Sequence, residues 1–175
     1  MPTQSSPAQP ADRAAPVPWL RWFLPALIAT LVLDLATKEL LFTLWRVGDH
    51  PHALIWLAYN QGVAWSMGSS MPALVLAVTL LLIPALTWYW WRTYRLAGVW
   101  ENLAFGLVLG GALGNAIDRI AFRLGRLGGV RDFIHVDLGF WPLNPFPTFN
   151  IADSGITVGF ALLVLLSLRT TSDPG

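Results

Sequence analysis

PALVLAVTLLLIPALTWYWW, running from Pro72 to Trp91, decides the fold, because twenty consecutive residues pass without a charge. About 20 apolar residues in a helix cross a hydrocarbon layer roughly 30 Å thick. Such a helix has no polar face to turn to water, so it is a membrane span. Working outward, three more runs reach the same length. Trp19 to Leu44 carries Asp34, Lys38 and Glu39 in its second half. Val99 to Ile120 is uncharged between Asn102 and Ile117 and ends in GGALGNAIDRI. Ile151 to Leu168 holds Asp153 in its first turn, with Arg169 just past its end. Four such runs in 175 residues leave too little polar chain to cover them as soluble helices. The expectation is an all-α membrane protein, a four-transmembrane-helix bundle with spans at about 19–44, 72–91, 99–120 and 151–168.

The composition agrees. Charged residues make up 12% of the chain, against roughly 25% in soluble domains. Apolar residues make up 55%, with ten Trp and nine Phe, and the mean hydropathy is +0.55. Eleven Lys/Arg against ten Asp/Glu leave a net charge of +1, which lacks the clustered basic excess that nucleic acid demands. The absence of Cys removes disulfides, thiolate nucleophiles and Cys-ligated metals. Any sulfur chemistry must belong to a partner.

Residues 1–18 contain five Pro and no helical apolar period, and read as a disordered tail. The apolar run that follows is too long for a cleavable leader and reads as a retained span. Residues 19–169 form a single membrane domain, and 170–175 a C-terminal tail. Two longer loops interrupt it. Residues 45–71 include AYNQGVAWSMG, whose Gly, Asn and aromatic content favours irregular or short β structure. Residues 121–150 hold Arg123, Arg126 and Arg131. The link 92–98 is short. The distribution of Lys and Arg about the spans does not decide orientation.

Convergence of the polar residues needs no orientation. Successive spans run antiparallel, so the end of the first, the start of the second, the end of the third and the start of the fourth share one membrane face. Asp34, Asn115, Asp118, Arg119, Asn150 and Asp153 all approach that face. The opposite face offers Arg92, Arg95, Arg169 and Glu101, which suit headgroup anchoring. Ionisable groups in or at the edge of spans are costly and mark functional sites. Each also has a structural reading. Asp34 and Lys38, four apart, neutralise each other across one helical turn. Asn115, Asp118 and Arg119 share a helix face as a hydrogen-bond cluster. Gly106, Gly110, Gly111 and Gly114 suit close helix packing.

Asp132 sits in VRDFIHV, where an acid has no evident packing use. Asn150, three before Asp153, suits a helix cap or a holder of the carboxylate. Two acids at one interface form a catalytic device, since like charges a few ångströms apart cannot both ionise easily and the pair titrates as a unit. One carboxylate then activates water while the protonated partner hydrogen-bonds a substrate carbonyl. Spacing alone leaves open whether Asp132 or Asp118 partners Asp153. The chain lacks His-Glu-x-x-His and a G-x-S-x-G elbow; His50 and His52 read as surface residues, and His135 is the histidine nearest the acids. No metal or organic cofactor is expected. A relay in a proton-coupled transporter or channel is the alternative use of such acids, but relays spread across the bilayer depth.

At these residues the chain resembles the lipoprotein signal peptidases, the signal peptidase II family of aspartyl proteases. The matching blocks are LDLATKEL, YNQGVAWSMG, GGALGNAIDR, VRDFIHV and PTFNIADSGITVG, in family order over about 125 residues. The resemblance implies both termini in the cytoplasm of a bacterial inner membrane, and a small extracytoplasmic β-cradle from the first long loop. It also implies an active site at the extracytoplasmic face. It implies Asp132 and Asp153 as the catalytic pair. Asn60, Gly62, Asn115, Arg119 and Asn150 are then expected to line or hold the pocket, with Asp34, Lys38 and Asp118 in support. The implied partners are diacylglyceryl prolipoproteins cut just before the lipidated cysteine, membrane lipid and globomycin-type inhibitors, and the expected state is a monomer. Tyr59 and Val63 depart from the family pattern, as does the long link from Arg119 to Asp132.

Overall fold

The computed structural model describes residues 19–62, 67–137, 139–140 and 146–170; both expected tails, apart from Thr170, and Val63 lie outside them. A wide π-helical turn, Trp19–Phe23, leads into α1, Leu24–Leu44; β1, Ile55–Asn60, follows in the first long loop. Helices α2, Pro72–Thr93, and α3, Val99–Arg123, form a tight hairpin, and β2, Val130–Ile134, precedes α4, Ile151–Thr170. The four helices lie at the expected places. Three of them, α2, α3 and α4, are long and apolar enough to cross a membrane by composition. In α1 the same length carries Asp34, Lys38 and Glu39, and the first two are wholly buried against the other helices, so the charges face protein rather than lipid.

Pro stands at the first turn of α1 and of α2, where a missing N–H costs nothing. Helix α3 is the axis of the bundle and packs against α1, α2 and α4. Its glycines make this possible. A Cβ at Gly110 would lie 2.6 Å from the Leu27 carbonyl oxygen of α1, and one at Gly111 would overlap the Ala152 carbonyl of α4. Helix backbones come this close only where side chains are absent. At the end opposite the acids, Phe23 stacks on Trp90 at 3.6 Å and 13°, with Phe105 and Leu109 completing a buried cluster. There Asn102 accepts from Trp90 Nε1 at 3.1 Å and donates to the carbonyls of Tyr94, Ala97 and Gly98, closing the α2–α3 link.

The two strands pair antiparallel, with Ala58 opposite Asp132 and Asn60 opposite Val130. Since side chains alternate across a strand, Asn60 and Asp132 lie on one face of this ribbon. Gly129 lets it close tightly, as a Cβ there would meet the Asn60 backbone at 2.8 Å. Phe149 then bridges to Ile134, its carbonyl accepting from Ile134 N–H at 2.8 Å and its N–H donating back at 3.0 Å. That bridge ties the start of α4 to β2.

Candidate active site

At the head of α4, Asn150 is the N-cap. Its side-chain oxygen accepts from Asp153 N–H at 2.9 Å, while Asp153 Oδ2 accepts from Asn150 N–H at 3.2 Å. This is a reciprocal capping box in which the third-position acid is Asp153. Asp34 takes another orphan donor of the same helix end, Ala152 N–H, at 2.9 Å from α1. Helix-start chemistry thus holds Asp153 in place, and the positive end of the α4 dipole faces both carboxylates.

The amide of Asn150 turns the other way. Its Nδ2 donates to Asp132 Oδ1 at 2.7 Å, with the Asn115 side-chain oxygen at 3.1 Å and the Arg131 carbonyl at 3.2 Å. Asn115 in turn donates from Nδ2 to Asp153 Oδ1 at 2.7 Å. Two asparagines therefore bracket two aspartates, each amide gripping one carboxylate. Lys38 fixes which way Asn115 points, because Nζ donates to its oxygen at 3.1 Å and leaves the NH2 for Asp153. The same ammonium pairs with Asp34 at 2.7 Å and with Asp118 at 3.3 Å, and all three groups are fully buried.

Asp132 is 1% exposed. Burial, and after it the charge of Asp153, push its carboxyl up from 3.8 to about 7, against the lowering pull of Asn60, Lys38 and Asn150. Near neutrality this acid keeps its proton much of the time beside a second carboxylate, as a shared-proton pair requires.

Asp132 and Asp153 both line a cavity of about 810 Å³, with Asn60, Asn115 and Arg119 at the same polar end. The rest of its wall is largely apolar, with Leu82, Ile83 and Leu86 of α2 facing Val108 of α3 and Ile156 of α4. Arg119 Nη2 donates to the Gly62 carbonyl at 3.1 Å, and its buried Nε has no hydrogen-bond partner among the described residues. Gly62 N–H donates to the Asn60 side-chain oxygen at 2.9 Å, which shapes the tip of the first loop beside the acids.

The expected residues thus fall into two tiers. Asn60, Asn115, Arg119, Asp132 and Asp153 reach the cavity; Asn150 and Gly62 hold them. Asp34, Lys38 and Asp118 lie behind, as a buried ionic layer. Asp118, the open alternative to Asp132, is turned away from the cavity into that layer. Its carboxylate accepts from Arg131 N–H at 3.0 Å and from Arg131 Nη2 at 2.8 Å. Burial works against the Arg131 charge, but Asp118 and Glu39 outweigh it and hold the guanidinium above its ordinary value. Arg131 and Glu39 are the members that sequence reasoning missed; the signal was an arginine directly preceding Asp132 in an apolar strand. His50 and His135 pack on Trp56, and the described residues contain no group of three His, Asp or Glu placed to hold a metal ion.

Residues 26–169 match the family described as Signal peptidase (SPase) II. The chain is 38% identical over 154 residues to the lipoprotein signal peptidase of Aquifex aeolicus (strain VF5), covering 84% of each. It is 35% identical over 161 residues to that of Mycobacterium tuberculosis (strain ATCC 25618 / H37Rv), covering 88% of this chain and 74% of that one. Among solved structures, a bacterial membrane enzyme determined in meso at 2.3 Å superimposes with a TM-score of 0.74 at 30% identity, over 88% of this chain and 94% of that one.

Proposed function

Because the chain belongs to the signal peptidase II family, multi-pass aspartic peptidases of bacterial membranes, we propose that it removes signal peptides from diacylglyceryl-modified prolipoproteins with Asp132 and Asp153 as a water-activating pair. One observation carries this reading: the two carboxylates are gripped by a common pair of asparagines at the polar end of an otherwise apolar cavity.

Asp132 is the member that holds the proton and acts as general acid, since burial and Asp153 both disfavour its charge. It donates to the oxygen of the scissile carbonyl. Asp153, ionised, takes a proton from water; the water oxygen bonds to the carbonyl carbon, and a tetrahedral intermediate forms. Collapse breaks the C–N bond as a carboxyl returns a proton to the leaving amine. Each turnover consumes one water and leaves the pair with one proton, so no covalent enzyme intermediate is needed. Arg119, whose Nε has no hydrogen-bond partner among the described residues, is the donor available to substrate backbone. The apolar wall toward Leu82 and Leu86 suits the lipid chains and signal sequence of a substrate held in the membrane, with the acids at the extracytoplasmic face. The transporter reading lacks support, since between Asn102 and Asn115 α3 offers no polar side chain for a relay.

The test is cleavage of one purified diacylglyceryl prolipoprotein by wild type, Asp132→Asn and Asp153→Asn protein reconstituted in bilayers. Wild-type cleavage before the lipidated cysteine is expected, blocked by a globomycin-type inhibitor and absent in both variants. Turnover within a few-fold of wild type by either variant defeats the assignment of the pair.

A further inference from the structure

Arg131 stands beside Asp132 and is 8% exposed, and its polar groups engage three elements, α1, α3 and the head of α4. Its N–H donates to Asp118 Oδ2 at 3.0 Å and its Nη2 to Asp118 Oδ1 at 2.8 Å, both on α3. Its Nη1 reaches Glu39 Oε2 of α1 at 3.1 Å. Its carbonyl accepts at 3.2 Å from Asn150, the residue that grips Asp132 at the head of α4. We propose that Arg131 is a positioning residue for the reaction: a clamp that joins α1, α3 and the α4 cap to β2 and so sets where the neighbouring Asp132 carboxyl meets Asp153. The inference rests on the peptidase reading and deepens it.

The geometry favours this over a plain surface ion pair. Glu39 is mostly exposed at 77%, so that leg is weak by itself. The legs to Asp118 are buried and bidentate, the arrangement that restricts direction as well as distance. Strand β2 is five residues long and, among the described residues, pairs with a single strand, and so short a ribbon needs outside support to hold a register. Adjacent Cα atoms are about 3.8 Å apart, so a shift of residue 131 is passed on to residue 132 almost undiminished.

Clamp and charge separate experimentally. The charged groups around Asp132 are Asp153 on α4, Lys38 on α1, Arg119 and Asp118 on α3, and Arg131 itself. Arg131→Met strips Asp118 of one cation and adds net negative charge near Asp132. In Asp118→Asn/Arg131→Met both charges leave together, and the amide oxygen can still accept the main-chain N–H. Arg131→Lys keeps a cation without the fork.

Cleavage of the same prolipoprotein is measured against pH for all four proteins in bilayers, after confirming insertion and thermal stability. Wild-type cleavage, and its loss in Asp132→Asn, tests the peptidase reading separately. The expected result is that Arg131→Met lowers kcat by roughly tenfold to a hundredfold, the range for a catalytic group misplaced by about 1 Å, with KM within threefold. Its alkaline limb moves to higher pH. The double variant restores the limb but not kcat, and Arg131→Lys regains only part of kcat. A folded double variant with wild-type kcat overturns the clamp, as does an Arg131→Met variant with wild-type kcat, or an Arg131→Lys variant fully equal to wild type.

Discussion

Asp132→Asn should make the protein inactive and, at alkaline pH, more stable. Burial and Asp153 hold the Asp132 carboxyl at about 7 in the folded state against 3.8 ordinarily. At pH 3 it is protonated whether the chain is folded or not, and the site costs nothing. Between about 4 and 7 the unfolded chain releases this proton and the folded one retains it, so stability falls as pH rises. Above 7 the whole difference is in place. At roughly 1.4 kcal/mol for each pH unit, it amounts to about 4 kcal/mol. Asparagine avoids that cost. Its oxygen can still accept from Asn150, which donates to Asp132 Oδ1 at 2.7 Å, and its NH2 can face Asp153. The new amide must still be buried, and a net gain of about 2 kcal/mol at pH 8 is expected, or roughly 5 °C in midpoint. Thermal unfolding of both proteins in the same detergent, at pH 4 and pH 8, measures it. A midpoint for Asp132→Asn at or below wild type at pH 8, or a difference that is the same at both pH values, refutes the reasoning.

Three other outcomes are expected. Cleavage should decline about tenfold per pH unit above roughly 7, as Asp132 loses the proton it donates; a rate constant flat from pH 6 to 9 would exclude Asp132 as the acid. Gly111→Ala puts a Cβ into the Ala152 carbonyl and 2.9 Å from Ile156 Cγ1, so α3 and α4 must part, lowering stability by roughly 1 to 3 kcal/mol and activity with it, which thermal unfolding and cleavage assays report together. Asn102→Leu leaves Trp90 Nε1 and the carbonyls of Tyr94, Ala97 and Gly98 without their partner, costing roughly 2 to 3 kcal/mol. Since thirteen residues of helix, about 20 Å, separate it from Asn115, the folded fraction should keep wild-type kcat.

Much of this architecture is legible in the chain because the bilayer imposes simple rules. Uncharged runs mark α2, α3 and α4, and antiparallel succession brings Asp34, Asn115, Asp118 and Asp153 to one face. The helix ends differ slightly from expectation. Helix α3 continues to Arg123 rather than Ile120, and the first five residues of the opening span form a π-helical turn instead of α-helix. Helix ends are set by local contacts that hydropathy does not record. The capping pair Asn150 and Asp153 was also legible, since three-residue spacing at a helix start has a local mechanism. Arg131 was not, because in sequence it is one of several arginines in a loop, and its partners Asp118 and Glu39 are 13 and 92 residues away.

By itself, then, the order of residues determined the number of long helices, the end of the bundle at which the acids gather and, through five motif blocks, the family. Which acid stands opposite Asp153 was a tertiary matter. Asp118 and Asp132 both lie near the same membrane edge, and no local rule ranks them. The bridge from Phe149 to Ile134 draws β2 onto the head of α4, while Lys38 and Arg131 turn the Asp118 carboxylate into the ionic layer behind. A buried carboxylate goes where cations neutralise it, and only the folded chain brings those cations to Asp118 and leaves Asp132 facing the cavity.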